Sequence, residues 1–206
     1  MKYIPSILLF FFLLSFSSCS TKTVESELPE PNPPTPVIPE EPTPEKEKML
    51  WFDAEANFER FSKKENITYY LDLAKSTGFN KIVVDVRPVQ GDALFKSSYL
   101  TPLTDLAGTH IERDWNYLQF FIDEAHKREL KVTVSATIFT AGLPSSKNGM
   151  AYRDDTWDGK TCLEYTKDQG LIDIKDDKTK VSAFLNPVLP EVQDFCLNFI
   201  KELVTN

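Results

Sequence analysis

The strongest constraint on the fold is a pattern of three apolar runs, each followed by a segment with helical periodicity. The runs cover residues 49–53, 81–87 and 131–138, and each has the length of a single β-strand. The segments after them place apolar residues three and four positions apart, as on the buried face of a helix. This alternation predicts parallel strands joined by right-handed crossovers, and therefore an α/β protein.

The predicted strands have two chemically different faces. In the second run Ile82 and Val84 share one side, whereas Asp85 and Arg87 share the other. An open doubly wound sheet usually needs apolar residues on both sides, but a (β/α)8 barrel tolerates polar side chains inside its mouth. We therefore interpret residues 49–206 as a partial TIM-type barrel with about its first three β/α units. A whole barrel usually takes about 250 residues, so we expect this segment to leave it unclosed.

The N-terminus has the pattern of an export signal. An apolar run at residues 7–14 follows a short positive start and is too short to cross a membrane. The small residues Ser17 and Ser18 before Cys19 resemble the cleavage site of bacterial lipoproteins. By that resemblance, residues 1–18 are a lipoprotein signal peptide and Cys19 is the lipidated first residue of the mature chain. Ordinary signal cleavage, with Cys19 as an incidental thiol, is the alternative.

Residues 19–48 are predicted to form a disordered tether that begins with the lipidated cysteine. Eight of the 14 prolines lie between Pro29 and Pro44, mixed with glutamates and without apolar periodicity. Such a segment cannot bury enough apolar surface to fold, and its prolines favour an extended chain. It could bind an SH3-type domain, but a spacer is the better interpretation after a lipid anchor. We expect an exported protein, lipid-anchored to the outer membrane and facing the periplasm or the cell surface.

The charge and the scarcity of metal-binding residues exclude other classes of partner. With 23 basic and 31 acidic side chains the net charge is -8, whereas a nucleic-acid-binding protein needs a basic surface. The three cysteines and two histidines have no zinc-ligand spacing, so we expect no metal site and no cofactor. An acidic globular domain behind an export segment is what remains.

Two acids stand where a barrel would place functional groups. Asp53 ends the first apolar run, and Asp85 lies near the end of the second. Two neighbouring carboxylates can carry general acid–base chemistry when their environments differ. Asp53 and Asp85 are therefore candidates, although the sequence does not identify the catalytic residues. Arg87 is predicted to form a charge pair with Asp85, which either orients a substrate or fills the barrel mouth.

A resemblance to a known family rests on the second strand and the loop after it. Residues 84–95, VDVRPVQGDALF, and the serines at 97–98 resemble the D-x-R-P-x-x-D-A-L-Y-x-S signature of the glycosyl hydrolase-like 10 family. Further matches are residues 121–127, FIDEAHK, and 184–187, FLNP. The resemblance covers about residues 49–206.

The resemblance implies a (β/α)8 barrel that hydrolyses glycosidic bonds of a polysaccharide or cell-wall glycan. Many members of the family resemble exported lipoproteins of Gram-negative bacteria. In this family the next strand carries an Asp-Gly-x-x-x-Asp segment, a region associated with the main catalytic acids. The sequence ends at Asn206, before such a segment, so we expect a chain truncated before those acids.

The resemblance also implies contacts with an oligo- or polysaccharide substrate. Arg87, Gln90 and Asp92 lie in the signature, and Asn186 lies in the FLNP segment. From the residues alone, Asp92 could equally cap a turn, and Asn186 could start one. Trp157, in the long loop after the third strand, could stack on a sugar ring, although aromatic residues in a long loop more often form its own small core.

Three interpretations of the function stay open. The first is a membrane-anchored lipoprotein that resembles a glycoside hydrolase. The second is a non-catalytic surface lipoprotein that binds glycans through the loops after the second and third strands. The third is an unstable gene fragment, because an isolated three-stranded parallel sheet exposes a strand edge and half of its inner face.

Overall fold

The structure is a computed structural model that describes residues 46–205. The expected signal peptide at 1–18, Cys19 and nearly all of the tether at 19–48 lie outside the described residues. In chain order the elements are β1 (Met49–Phe52), α1 (Lys64–Ser76), β2 (Lys81–Arg87), β3 (Asp105–Leu106), β4 (Thr109–His110), α2 (Tyr117–His126), β5 (Lys131–Ala136), β6 (Leu163–Thr166), β7 (Gly170–Asp173) and α3 (Pro190–Thr205).

A three-stranded parallel sheet forms the centre of the fold. Its order is β1-β2-β5, with Phe52 beside Val84 and Val84 beside Val134. The predicted alternation of strand and helix thus produces a mixed α/β fold with a parallel sheet and three helices. The loops after β2 and β5 also contain two short antiparallel hairpins, β3–β4 and β6–β7, which the apolar periodicity does not predict.

The two faces of the sheet differ as the strand pattern predicts. Ile82 and Val84 are fully buried in the core on one face, where the neighbouring Phe52 ring lies 5.1 Å from the ring of Phe121 in α2. On the other face Met49 is 53% exposed and Trp51 is 61% exposed. The helices therefore cover one face, while the other presents large apolar side chains to solvent.

Local sequence sets where the helices begin and end. Asn116 caps α2, because its side-chain oxygen accepts the Gln119 N–H at 3.3 Å. Pro190 is the first residue of α3. A backbone N–H at this position would have no acceptor within the helix, so proline, which lacks the N–H, fits there. The chain leaves α1 through Gly78, whose φ of +87° lies in the left-handed region that favours glycine.

The loops after β2 and β5 pack backbone against backbone. A Cβ atom on Gly149 would lie 2.4 Å from the carbonyl oxygen of Gln90 and 2.5 Å from the Cα of Gly142. Only glycine permits this approach, and the φ of +110° at Gly149 also requires it. The two loops therefore form one fixed layer beyond the carboxyl ends of β2 and β5.

Candidate functional site

Two carboxylates are neighbours at the carboxyl edge of the sheet. Asp53 directly follows β1, and Asp85 lies in the second half of β2. Because Phe52 pairs with Val84 in parallel register, the next residues along the two strands are also adjacent. The charge of Asp53 is close enough to raise the pKa of Asp85. The structure therefore brings the two predicted acids together.

The carboxyl group of Asp85 is partly buried, and its pKa is raised. Burial raises its pKa to about 6, and the charge of Asp53 adds to this rise, while the Arg87 backbone N–H opposes it. Its Oδ1 atom is buried and has no hydrogen-bond partner. A carboxyl group with this pKa holds a proton in mildly acidic solution and releases it near neutrality, as a general acid must.

Asp53 has a different environment, although it lies next to Asp85. Its side chain is exposed, and Oδ1 accepts the Ala56 N–H at 2.9 Å. Its backbone carbonyl accepts a hydrogen bond from the Asn57 side chain at 3.2 Å. Asp53 therefore stabilises the turn after β1 and acts on Asp85 through its charge.

Sequence reasoning missed two titratable groups near this pair. The first is Glu55, whose pKa is raised by burial and by the charge of Asp53. The charge of Glu55 also raises the pKa of Asp85. Tyr117, the first residue of α2, is buried and its hydroxyl has no partner. Burial raises the pKa of Tyr117, and Asp85 and Asp53 raise it further. Their positions in the sequence could have identified them, because the loop after a parallel strand, and the first residue of the helix that follows it, lie at the carboxyl edge of the sheet.

Arg87 does not form the expected charge pair. The strand register shifts between Asp85 and Arg87, as at a β-bulge, and this breaks the alternation that would place both side chains on one side. No ion pair joins these two residues in the part of the chain that the structure describes. Burial lowers the pKa of Arg87 to about 10, so the guanidinium stays charged at neutral pH.

The Arg87 guanidinium is fully buried and bound to loop backbone. Its nitrogen atoms donate to the carbonyl oxygens of Gly91 (3.1 Å), Thr137, Ile138 (3.0 Å) and Thr140 (2.7 Å), and to the sulfur of Met150 (3.3 Å). A guanidinium has five N–H groups, so these five acceptors occupy all of them. In this structure Arg87 therefore holds the loops after β2 and β5, and its contact with a substrate stays a prediction.

Asp92 and Gln90 are also buried, at 5% and 1% exposure. Asp92 Oδ2 accepts a hydrogen bond from the Arg153 guanidinium, and its Oδ1 has no partner. Burial raises the pKa of Asp92, and the Arg153 hydrogen bond opposes the rise. Gln90 donates its Nε2 to the Asp105 carbonyl at 3.1 Å. In this structure Asp92 is a partner of Arg153 rather than an exposed sugar ligand.

Asn186 and Trp157 take the structural roles that the sequence left open. Asn186 Oδ1 accepts the Val188 N–H at 3.2 Å, which is the turn-starting interaction. The half-buried Trp157 ring packs edge-to-face on Phe195 of α3, with ring centroids 4.8 Å apart. The structure therefore gives Trp157 a place in a small core, and it does not bring either residue to the Asp53–Asp85 pair.

Two further properties concern only residues 46–205. Within this range no group of three or more His, Cys, Asp or Glu side chains is arranged to hold a metal ion. None of the helices in the same range has the length and apolar character needed to cross a membrane.

The fold and the site define an α/β domain with a partly buried acid at the carboxyl edge of its parallel sheet. This edge is where parallel α/β folds carry their functional groups. The sequence profile of the glycosyl hydrolase-like 10 family matches residues 47–206. The chain therefore belongs to the glycosyl hydrolase-like 10 family.

Two named relatives are much longer than this chain. An S-layer-related protein of Niallia circulans is 32% identical over 171 residues, which cover 78% of this chain and 10% of the relative. The glycosyl hydrolase DigH of Escherichia coli K12 is 29% identical over 137 residues, which cover 66% of this chain and 30% of the relative. A hypothetical protein from Ruminiclostridium thermocellum, known from its crystal structure, has a TM-score of 0.48 and 16% identity, with coverage of 76% of this chain and 70% of that one.

Proposed function

We propose that this chain is the glycan-binding N-terminal part of a glycoside hydrolase, and that Asp85 is an acid of its active site. The observation that carries the proposal is the partly buried Asp85 carboxyl beside Asp53 at the carboxyl edge. Family membership and the relatives named glycosyl hydrolase support a glycosidic substrate. Protonated Asp85 would donate its proton to the glycosidic oxygen as the bond to the sugar carbon breaks, and the leaving alcohol would keep that proton. A water molecule would form the new bond to the sugar carbon and would lose its proton to a second carboxylate from outside residues 46–205.

The parallel sheet is proposed to be the first part of a (β/α)8 barrel. Met49 and Trp51, on the face away from the helices, would then lie inside the barrel once further strands enclosed them. The matched segment spans only 30% of DigH, so a longer protein has room for those strands. In this proposal the second catalytic carboxylate comes from outside residues 46–205, and Asp85 works with it.

The location is proposed from the sequence pattern at the N-terminus. Cys19 would carry a lipid in the outer membrane, facing the periplasm or the cell surface. The tether at 19–48 would hold the domain up to about 90 Å from the membrane, at about 3.1 Å per residue for an extended proline-rich chain. A cell-wall glycan lies within that reach, and it is therefore the substrate we favour.

A second candidate is a glycan-binding protein without hydrolytic activity. The observation that favours it is the role of Asp53, whose Oδ1 accepts the Ala56 N–H and so stabilises the turn after β1. In this case Asp85 would accept or donate a hydrogen bond to a sugar hydroxyl, and no bond would break.

The two candidates are separated by measuring binding and bond cleavage together. The full chain is incubated with peptidoglycan and with neutral polysaccharides, and both co-sedimentation and new reducing ends are measured. We expect saturable binding that Asp85→Asn weakens and Asp194→Asn, an exposed position on α3, leaves unchanged. Any release of reducing ends should fall at least about 100-fold in Asp85→Asn if this acid donates the proton.

Release of reducing ends that Asp85→Asn abolishes would exclude the second candidate. Saturable binding without any release would show a glycan site and would exclude hydrolysis by this chain on its own. Absence of binding to every glycan tested would contradict both candidates.

A further inference from the structure

We propose that the cavity between the β3–β4 hairpin and the loop at residues 143–148 is a subsite for one neutral sugar ring. The inference rests on the proposed function, because it names where part of that glycan binds. The cavity has a volume of about 390 Å³, and its wall does not include Asp53 or Asp85. Volumes of about 300–1,000 Å³ are typical of sites for small molecules.

Gln90 forms part of the cavity wall, and its side chain is the main reason to infer a ligand there. Its side chain is 1% exposed, and its Nε2 donates to the Asp105 carbonyl at 3.1 Å. Its Oε1 is buried without a hydrogen-bond partner. A buried amide oxygen without a partner is unfavourable, so a ligand hydroxyl that donates to it would remove a cost already present in the free protein.

The rest of the wall has the chemistry of a sugar site. Hydroxyl, amide and apolar groups share it, contributed by Thr109, Ser146, Asn148, Leu106 and Leu143. None of the residues that line the cavity is basic, which disfavours a phosphate, sulfate or carboxylate ligand. A ring with hydroxyl groups at its rim and C–H groups on its faces matches this mixture.

The one acid in the cavity wall, Asp105, has two hydrogen-bond partners. Asp105 Oδ1 lies 2.8 Å from His110 Nδ1, and Oδ2 accepts the Thr104 hydroxyl at 2.7 Å. The hydrogen bonds from Thr104 and His110 keep the pKa of Asp105 below its usual range. These bonds fix the orientation of the carboxylate, which stays exposed and can still accept a hydrogen bond from a sugar hydroxyl.

Close backbone packing holds the two walls of the cavity in place. The loop after β2 contributes Gln90, and the loop after β5 contributes Ser146 and Asn148. The Met150 N–H donates to the Gln90 carbonyl at 3.4 Å, and Gly149 leaves no space for a side chain there. A cavity with fixed walls loses little conformational freedom when a ligand binds.

The subsite is tested by calorimetric titration of the full chain with two neutral oligosaccharides, chitotetraose and cellotetraose. Ser146→Trp fills the cavity from an exposed position, and Ser145→Trp adds the same bulk next to it, outside the cavity wall. We expect at least one oligosaccharide to bind, with affinity at least tenfold weaker in Ser146→Trp and within twofold of the original in Ser145→Trp. Gln90→Leu, which keeps the approximate size of the side chain and removes both Oε1 and the Nε2 hydrogen bond to Asp105, should weaken binding about fivefold or more.

Equal affinities in the original chain, Ser146→Trp and Gln90→Leu would overturn the subsite. The proposed function would survive that result if Asp85→Asn still weakened binding. Absence of binding to both oligosaccharides would also overturn the subsite, and co-sedimentation with peptidoglycan would then show whether the proposed function stands.

Discussion

Asp85 and Arg87, two residues apart on one strand, show opposite consequences of burying a charge. Arg87 is fully buried, yet five acceptors surround it and its charge remains. Asp85 is only half-buried, but its Oδ1 atom has no hydrogen-bond partner, and its pKa rises to about 6. A satisfied buried charge is typical of structural support, whereas an unsatisfied one at a sheet edge is typical of a functional site.

Asp85 should cost the protein stability at neutral pH. Its pKa of about 6 in the folded chain lies above its ordinary value of 3.8, so the folded state binds the proton more tightly. The tighter proton binding stabilises the folded state at low pH, and this stabilisation is lost as pH rises through about 6. We expect Asp85→Asn to increase the free energy of unfolding by about 1 kcal/mol at pH 7.5, after allowance for solvent screening, and to change it little at pH 4.

Urea denaturation at both pH values measures this effect, with Asp194→Asn as the exposed control. A decrease in stability for Asp85→Asn at pH 7.5 would show that its carboxylate is a structural group instead.

Arg87 should be irreplaceable even by another cation. Lysine has three N–H donors at one point and cannot reach five acceptors spread over two loops. We expect Arg87→Lys to lower the free energy of unfolding by about 3 kcal/mol, because it leaves buried carbonyl groups unpaired. Arg60→Lys, at an exposed position, should change it by less than about 0.5 kcal/mol. Equal urea midpoints for the two variants would contradict the role assigned to Arg87.

The sequence predicts where Asp53 and Asp85 lie better than it predicts which contacts the neighbouring residues make. Asp53 and Asp85 follow from strand order alone, because neighbouring parallel strands end at one edge. Arg87 leaves the predicted face because the register shifts after Asp85, a feature that two-residue alternation cannot show. The partner of Asp92 is 61 residues away at Arg153, and no local pattern encodes such a contact.

At the level of whole elements, the backbone contact between the loops after β2 and β5 should be sensitive to one methyl group. A Cβ on Gly149 would meet the Gln90 carbonyl at 2.4 Å, whereas one on Gly159 would meet nothing within 4 Å. Both residues have positive φ, so alanine strains the backbone at either position. We expect Gly159→Ala to cost about 1 kcal/mol and Gly149→Ala at least about 3 kcal/mol.

Thermal unfolding of the two alanine variants gives this comparison directly. Similar losses would mean that the two loops separate easily, and the fixed layer described above would then be wrong.

The elements that the sequence predicts are those with regular periodicity. Strands β1, β2 and β5 and all three helices follow from apolar spacing, because each buries one face against the same core. The hairpins β3–β4 and β6–β7 depend on where long loops fold back, which no period of two or 3.6 residues records. The Gln90 cavity lies between such segments and could not be predicted for the same reason.

At the scale of the whole molecule, the exposed sheet face should bind hydrophobic dyes without supporting the fold. Trp51 is 61% exposed, whereas Trp157 packs on Phe195. We expect Trp51→Thr to reduce dye fluorescence with a change of less than about 0.5 kcal/mol in stability. Trp157→Thr should instead lower stability by about 1–2 kcal/mol through lost packing.

Dye titration and urea denaturation of the two tryptophan variants separate these effects. A broad, uncooperative unfolding transition in the original chain would favour the unstable-fragment interpretation, because a continuous core around Phe52, Val84 and Phe121 should unfold in one step.

The central claim is that Asp85 belongs to a glycan site at the carboxyl edge of the sheet. Its most direct test is a pH titration of the Asp85 side-chain carboxyl carbon by NMR, with and without soluble peptidoglycan fragments. We predict a midpoint of about pH 6 in the free chain and a shifted midpoint with the glycan. A midpoint near 4 that the glycan does not move would contradict the account.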